Sequence, residues 1–236
     1  MKLRSSHYSF RVSDYKWLDD ADPVQQGFPS MHVIQRGMNR QICFTSDADL
    51  AAYAHWLAEG VKKFVVELHG WVFMTNHVHL LLTSGDDNAV SKLMQFLGRL
   101  YVRHFNYYYA RTGSLYEGRF KSSLVQDDIY LLICLRYIEL NPIRAGIFTD
   151  PGDYQWSSYA AHGFGNNISM LTPHPLYLAL GETKSEREQN YRELIGDSLG
   201  ADVITKIRHC ANKELILGTE KFKQQFEELT GDSLIR

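Results

Sequence analysis

The segment 75–82 (TNHVHLLL) places His77 and His79 two positions apart in an otherwise apolar run. In a β-strand, side chains at i and i+2 project from the same face, so both imidazoles are expected on one side of a sheet. Neutral imidazole nitrogens are common ligands of divalent metal ions. The spacing is therefore compatible with a two-histidine site for metal or phosphate chemistry, although a lone histidine in a strand is more often a packed residue. A catalytic site would also need a third ligand and an open position.

A predicted helix over 129–140 offers candidates for that ligand and for a nucleophile. Tyr137 and Asn141 are four positions apart, a spacing that places two side chains on one helical face. An amide oxygen can bind a hard ion such as Mg²⁺ or Mn²⁺, and a tyrosine one turn away would place its oxygen beside that ion. Tyr137 is equally compatible with a core aromatic, and Tyr116 and Tyr130 are rival nucleophiles on the same grounds.

Positive charge and aromatic rings are concentrated between positions 99 and 121. Five basic residues stand there against one acid, interleaved with seven Tyr or Phe side chains. Such a surface suits a single-stranded or hairpin nucleic acid, because phosphates meet the charges and bases stack on the rings. The alternative is a solvated helix face above an aromatic core. The residues predicted to contact nucleic acid are Arg36, Arg40, Arg99, Arg103, Arg119 and Lys121.

Composition restricts the class of protein. The 236 residues carry a net charge of -2, which by itself does not indicate a polyanionic partner. The three cysteines show no Cys-x-x-Cys spacing, which argues against a disulfide framework or a thiolate zinc site and favours a reducing compartment. No stretch approaches the ~18 apolar residues of a membrane span. We expect a soluble protein of the cytoplasm with no membrane partner.

Hydrophobic periodicity predicts the order β-α-β-β-α-β-α over the first two thirds of the chain. Strands are predicted at 31–36, 65–74, 77–84 and 120–125, and helices at 46–63, 89–109 and 129–140. A turn at 37–40 is predicted to lead into 41–44 as a first hairpin. Glu139 is predicted to lie opposite Tyr137 as a solvated or structural charge. The pattern predicts an α+β, ferredoxin-like (RRM-like) antiparallel sheet with the histidines on a middle strand.

Three regions are predicted. Residues 1–30 form an irregular arm, 31–165 a catalytic domain and 173–236 an all-helical C-terminal extension. The extension has helical segments near 174–180, 184–199, 201–215 and 219–230, split by glycines. Its last two helices could form a helix-turn-helix DNA reader or could brace the first domain. Nine basic and eleven acidic residues from 174 onward favour bracing.

Five segments together resemble the REP-associated tyrosine transposases, bacterial members of the single-tyrosine HUH nuclease and transposase superfamily. The segments are 34–41 (IQRGMNRQ), 71–81 (WVFMTNHVHLL), 113–122 (GSLYEGRFKS), 136–146 (RYIELNPIRAG) and 156–159 (WSSY). Their order and spacing span about 31–160. The helical part after about 173 is not explained by the shared catalytic core.

The resemblance implies a catalytic domain with a His-hydrophobic-His motif, which falls on His77 and His79. It implies that Tyr137 is the nucleophile, in preference to its rivals, and that Asn141 completes a Mg²⁺ or Mn²⁺ site. The implied reaction cleaves and rejoins hairpin DNA of the repetitive extragenic palindromic (REP) kind through a 5′-phosphotyrosine. The resemblance leaves open whether the protein is a monomer or a homodimer, and implies a nucleoid-associated location when DNA is bound.

Three other functions stay open at this point. The chain could be a domesticated protein that binds DNA hairpins without cutting them. It could be a two-histidine metal hydrolase that uses activated water, with a structural Tyr137. It could also be a relaxase or replication-initiator type of nickase, which is chemically close and differs in its DNA target.

Overall fold

The computed structural model describes residues 29–86, 88–126 and 129–230, with no side-chain description for residues 129, 229 and 230. The predicted arm over 1–30 therefore lies almost wholly outside the described residues. Four strands form one antiparallel sheet in the order β2-β3-β1-β4. The strands are β1 (Ser30–Arg36), β2 (Val66–Met74), β3 (His77–Ser84) and β4 (Lys121–Val125). This order, with helices after β1 and β3, confirms the ferredoxin-like α+β prediction.

Helices α1 (Asp47–Lys63) and α2 (Ala89–Tyr108) cover one face of the sheet. A capping box starts α1, in which the Ser46 hydroxyl accepts from the Asp49 backbone and the Asp49 carboxylate accepts from the Ser46 N–H. Apolar side chains from both helices form one core with alternate residues of β1 and β3, including Val33 and Leu80. Because strand side chains alternate, the histidines at odd positions of β3 face the opposite side.

The opposite face packs against α3 (Ile129–Glu139), which is followed by the short helix α4 (Asn141–Arg144). Gly70 permits this packing, because a Cβ at that position would lie 2.2 Å from Cδ1 of Leu135 on α3. The helical path is interrupted at Leu140, and Pro142 lacks the N–H that would continue the helical hydrogen bonds. Asn141 therefore begins a second helix, which corrects the expectation that it shares one continuous helix with Tyr137.

The chain after α4 forms a 3-10 helix (Pro151–Asp153) and five further α-helices among the described residues. They are α5 (Tyr159–Phe164), α6 (Pro175–Leu178), α7 (Lys184–Gly196), α8 (Ala201–Lys213) and α9 (Glu220–Thr230). Side chains of α7 and α8 share a core with α3. Leu217 also pairs in parallel with Val125 and donates its N–H to the Leu124 carbonyl (2.7 Å). The extension thus covers the β4 edge of the sheet.

Glu139 ties the extension to α3. Its carboxylate is fully buried and accepts hydrogen bonds from Ser158 (2.5 Å), His162 (2.7 Å) and Tyr191 of α7 (2.6 Å). Of the two roles predicted for Glu139, the structural one is therefore observed.

The first hairpin predicted over 31–44 is wrong. Residues Met38–Arg40 form a single 3-10 turn, and the amides of Cys43 and Phe44 both donate to the Thr75 carbonyl instead of forming a strand ladder. The reason is that both edges of β1 are already occupied by β3 and β4. In the part of the chain that the structure describes, no helix has both the length and the apolar character needed to cross a membrane.

Candidate functional site

The two motif histidines lie side by side on β3, facing α3. The ring centroids of His77 and His79 are 4.9 Å apart, and His79 is nearly inaccessible to solvent. In the register of the sheet His79 stands opposite Ile34 of β1, and His77 stands opposite Arg36. The spacing argument from the sequence therefore holds: both imidazoles project from the same face of a central strand.

A third histidine, His32 of β1, contacts the pair. Its Nε2 lies 2.8 Å from Nδ1 of His79, and the two rings stack with centroids 5.0 Å apart. If Nδ1 of His79 carries the proton and donates to His32, the Nε2 lone pair of His79 is available to a ligand. The contact between the rings thus fixes the orientation of His79.

His77 is oriented by its neighbour Asn76. Nδ1 of His77 lies 2.6 Å from Oδ1 of Asn76, while the amide Nδ2 of Asn76 donates to the Arg40 carbonyl (3.0 Å). That second bond determines which amide atom faces the ring, because only the nitrogen can donate to a carbonyl. Oδ1 can only accept, so Nδ1 of His77 carries the proton and its Nε2 is left as a lone-pair donor.

Burial keeps these imidazoles neutral. Desolvation lowers the pKa of His32 to about 3. Desolvation, together with the positive charge of Arg36, lowers the pKa of His77 to about 4. The pKa of His79 is held well below its ordinary value, first by desolvation and then by its neighbours His32, His77, Arg144 and Arg36. Neutral imidazoles are the form that binds metal ions.

Tyr137 of α3 reaches the same group. Its ring centroid lies 5.8 Å from that of His79 and 6.0 Å from that of His32, edge-on in both cases. The guanidinium of Arg144 stacks over the Tyr137 ring, with Cζ 4.1 Å from the centroid, and donates from Nη2 to the Tyr137 carbonyl (2.5 Å). A nucleophile candidate and a cation therefore stand beside the histidines.

The donor set fits a divalent ion if the Asn141 amide takes part. Among the described residues, no three His, Cys, Asp or Glu side chains cluster so that they could hold a metal by themselves. His32 does not serve as a third ligand in this arrangement, because its Nε2 is directed at His79. The Nδ2 atom of Asn141 is buried without a hydrogen-bond partner. A half turn about χ2 exchanges it with Oδ1, which suits a hard ion.

The predicted DNA-contacting residues fall on different sides of the molecule. Arg36 stands across from His77, and the Arg40 carbonyl holds Asn76. Lys121 begins β4 opposite Ile34, which puts it on the histidine face. The exposed Arg119 lies just before that strand.

Arg99 and Arg103 are exposed on α2, which packs on the other face of the sheet. The structure does not bring these two residues together with the histidines. Their contact with DNA stays a prediction about a separate surface.

His32 and Arg144 are absent from the predicted site. His32 is an isolated histidine in a strand, and its partner stands 47 positions away. Arg144 lies seven positions after Tyr137. In a continuous helix this spacing corresponds to two turns and places both side chains on one face, so it could have indicated that Arg144 lies near Tyr137.

Comparison with known proteins gives the family context. The sequence model of a family described as "Transposase IS200 like" matches residues 29–141. The solved structure of a REP-associated tyrosine transposase bound to a REP hairpin is similar, with a TM-score of 0.50 and 15% identity. The match covers 63% of this chain and 87% of that one. At this identity the likeness shows a shared fold.

A transposase-like protein of known structure from Deinococcus radiodurans aligns over 47% of this chain and 88% of its own, with 20% identity and a TM-score of 0.36. Among curated proteins, none matches this chain significantly.

Proposed function

Because this chain belongs, through residues 29–141, to the family of IS200-like transposases, we propose that it cleaves and rejoins single-stranded DNA through a covalent bond to Tyr137. The observation that carries the proposal is the meeting of Tyr137 with His77 and His79 on one face of the sheet. Two distant parts of the chain, β3 and α3, thus bring together two candidate metal ligands and a candidate nucleophile. Tyr116, one of the rival nucleophiles, lies in the core on the other face of the sheet.

In the proposed reaction, the Tyr137 oxygen attacks a backbone phosphorus. A Tyr–O–P bond forms, the P–O3′ bond breaks, and the proton lost by the phenol is balanced by the one gained by the departing 3′ oxygen. The product is a 5′-phosphotyrosine and a free 3′-hydroxyl. A 3′-hydroxyl can later reverse the step and join a strand without ATP, because the phosphodiester energy is retained in the tyrosyl link.

The surrounding residues prepare this step. A Mg²⁺ or Mn²⁺ ion held by His77, His79 and Asn141 would supply charge stabilisation at the scissile phosphate. His32 and Asn76 hold the two imidazoles so that each Nε2 is free for this role. The Arg144 guanidinium stacks on the Tyr137 ring and so limits the orientations of the phenol.

The proposed substrate is a DNA hairpin of the REP kind with adjoining single-stranded bases. Support comes from the five sequence segments and from the relative that was solved with a REP hairpin. The basic residues that border the histidine face are proposed to contact the DNA backbone: Arg36, Arg40, Arg119 and Lys121. Removing any one of them should weaken DNA binding with little dependence on base sequence. Catalysis within one subunit or across a homodimer is compatible with the proposal.

The test uses labelled hairpin DNA with Mn²⁺ or Mg²⁺ and a denaturing gel. The wild type should form a protein–DNA adduct that EDTA prevents and that Tyr137→Phe abolishes. Tyr116→Phe and Tyr130→Phe serve as matched controls and should retain the adduct. An adduct that persists in Tyr137→Phe contradicts the assignment of the nucleophile.

A second candidate is a protein that binds DNA hairpins without cutting them. This function needs no complete metal cluster, and the described His, Cys, Asp and Glu side chains form none by themselves. This function predicts hairpin binding that survives EDTA, together with no strand cleavage under any divalent metal. Metal-dependent cleavage without an adduct would point instead to a hydrolase that uses water.

A further inference from the structure

Arg144, at the edge of the site, is a cation that has no carboxylate partner among the described residues. One of its nitrogens donates to the Tyr137 carbonyl, but Nε and Nη1 are buried and have no hydrogen-bond partner among the described residues. No ion pair involving Arg144 is found in that part of the chain. Buried guanidinium groups are normally paired, because an isolated charge loses its hydration. The two nitrogens without a partner are therefore suited to an anionic ligand.

Helix α8 of the extension brings a second arginine, Arg208, to the histidine face of the sheet. Lys121, Ile34 and His79 lie in one row across the paired strands β4, β1 and β3. The Lys121 ammonium donates to the carbonyl of Asn212 on α8 (3.3 Å), which places that turn of α8 at the level of His79. Arg208 lies one turn earlier on the same side of α8 and is exposed.

The charges of the two arginines act on each other. Desolvation is the main cause that lowers the pKa of Arg144 to about 10. The charge of Tyr137 and a side-chain hydrogen bond to it oppose this shift, and the charge of Arg208 adds to it. Among the described residues, no carboxylate contributes to that balance. Two guanidinium groups close enough to repel are best accommodated by an anion bound between them.

We propose that Arg144 and Arg208 form a phosphate-binding site, with Lys121 at its rim, that holds a backbone phosphate next to the one attacked by Tyr137. Guanidinium groups suit this ligand, because their forked N–H donors match phosphate oxygens. The identification of the phosphate as part of DNA rests on the proposed function. Both arginines lie beyond residue 141, where the matched family region ends. The extension thus contributes directly to DNA binding, besides its packing on α3.

The test measures binding of the full-length protein to a fluorescent DNA hairpin with a single-stranded flank, in EDTA, by anisotropy. Arg208→Ala is the informative variant, because Arg208 is exposed whereas Arg144 packs on Tyr137. Loss of one charged contact should weaken binding roughly tenfold. Between about 50 and 200 mM salt, the slope of log affinity against log salt should become shallower by about 0.7–0.9. Lys62→Ala, an exposed cation on α1 across the sheet, is the control and should change neither value.

The outcomes separate this inference from the proposed function. If Arg208→Ala binds like the wild type or like Lys62→Ala, the phosphate site is wrong, even where Tyr137 still forms its adduct. If Arg208→Ala weakens binding but no adduct forms on Tyr137, the phosphate site stands and the proposed reaction is wrong. A wild type that binds no DNA overturns both.

Discussion

Replacing Tyr191 by phenylalanine tests whether the extension is held to the catalytic domain by the buried carboxylate of Glu139. Tyr191 and Glu139 are both fully buried, and the phenol donates to Oε2 at 2.6 Å. The substitution removes only the hydroxyl, so it deletes this bond without opening a large cavity. Oε1 keeps its bonds from Ser158 and His162.

The magnitude follows from the charge of the acceptor. A hydrogen bond to a charged group contributes about 1.5–3 kcal/mol, whereas a bond between neutral groups contributes about 1 kcal/mol. For a chain of this size, 1 kcal/mol corresponds to about 2–4 °C in melting temperature. Tyr191→Phe should therefore lower the melting temperature by roughly 3–12 °C. The control Tyr177→Phe removes a bond to the neutral His162 carbonyl (2.9 Å) and should cost about 2–4 °C.

Differential scanning calorimetry on the two variants, each also made in a Glu139→Gln background, measures the coupling. The cost of Tyr191→Phe should fall to about 1 kcal/mol when the charge is absent, because the remaining bond is neutral. The cost of Tyr177→Phe should stay the same in both backgrounds. An equal loss for the two tyrosines, unchanged by Glu139→Gln, would refute a charged anchor between α3 and α7.

Three further predictions concern the histidine face and its packing. His32→Leu should weaken Mn²⁺ binding by about 10–100-fold, measured by electron paramagnetic resonance, and His32→Gln should recover part of the lost affinity. If the wild type and His32→Leu bind Mn²⁺ equally, His32 does not position the ligands. Gly70→Ala should lower the free energy of unfolding by about 1–3 kcal/mol in chemical denaturation, because the new methyl group collides with Leu135. The control Gly98→Ala has open space around its Cβ and should be neutral or stabilising. In EDTA, the free energy of unfolding should fall as the pH decreases from 6.5 towards about 4. The reason is that His77 and His32 have lower pKa values in the folded protein than in the unfolded chain, which therefore binds protons more readily. Each histidine should lower the free energy of unfolding by up to ~1.4 kcal/mol per pH unit. A melting temperature that is constant across this range, or a pH dependence that His77→Gln leaves unchanged, would contradict that assignment.

Local patterns in the sequence were sufficient to predict the fold. The alternating and apolar runs over 65–74 and 77–84, joined by Thr75 and Asn76, predicted the central hairpin, and Ser46 predicted the start of α1. The prediction failed at 41–44, where local propensity suggested a strand. The outcome there depends on which strands flank β1, and that is decided by residues far along the chain.

Site prediction worked where chemistry and spacing are local, and not where they depend on packing. The pair His77 and His79 follows from strand alternation alone. His32 joins them only through the register of β1 against β3, which spacing along the chain does not reveal. The basic side chains on α2, such as Arg99, were chosen for their charge, but the sequence does not tell which face of the sheet a helix covers.

The most direct test of the central claim is mass spectrometry of the adduct formed with hairpin DNA and Mn²⁺. Trypsin separates the rival tyrosines, because Tyr137, Tyr116 and Tyr130 fall on the peptides 137–144, 112–119 and 122–136. After nuclease digestion, the proposed function predicts a 5′-phosphonucleotide on the peptide 137–144 alone. A nucleotide on either of the other peptides, or metal-dependent cleavage with all three unmodified, would contradict the claim that Tyr137 is the nucleophile.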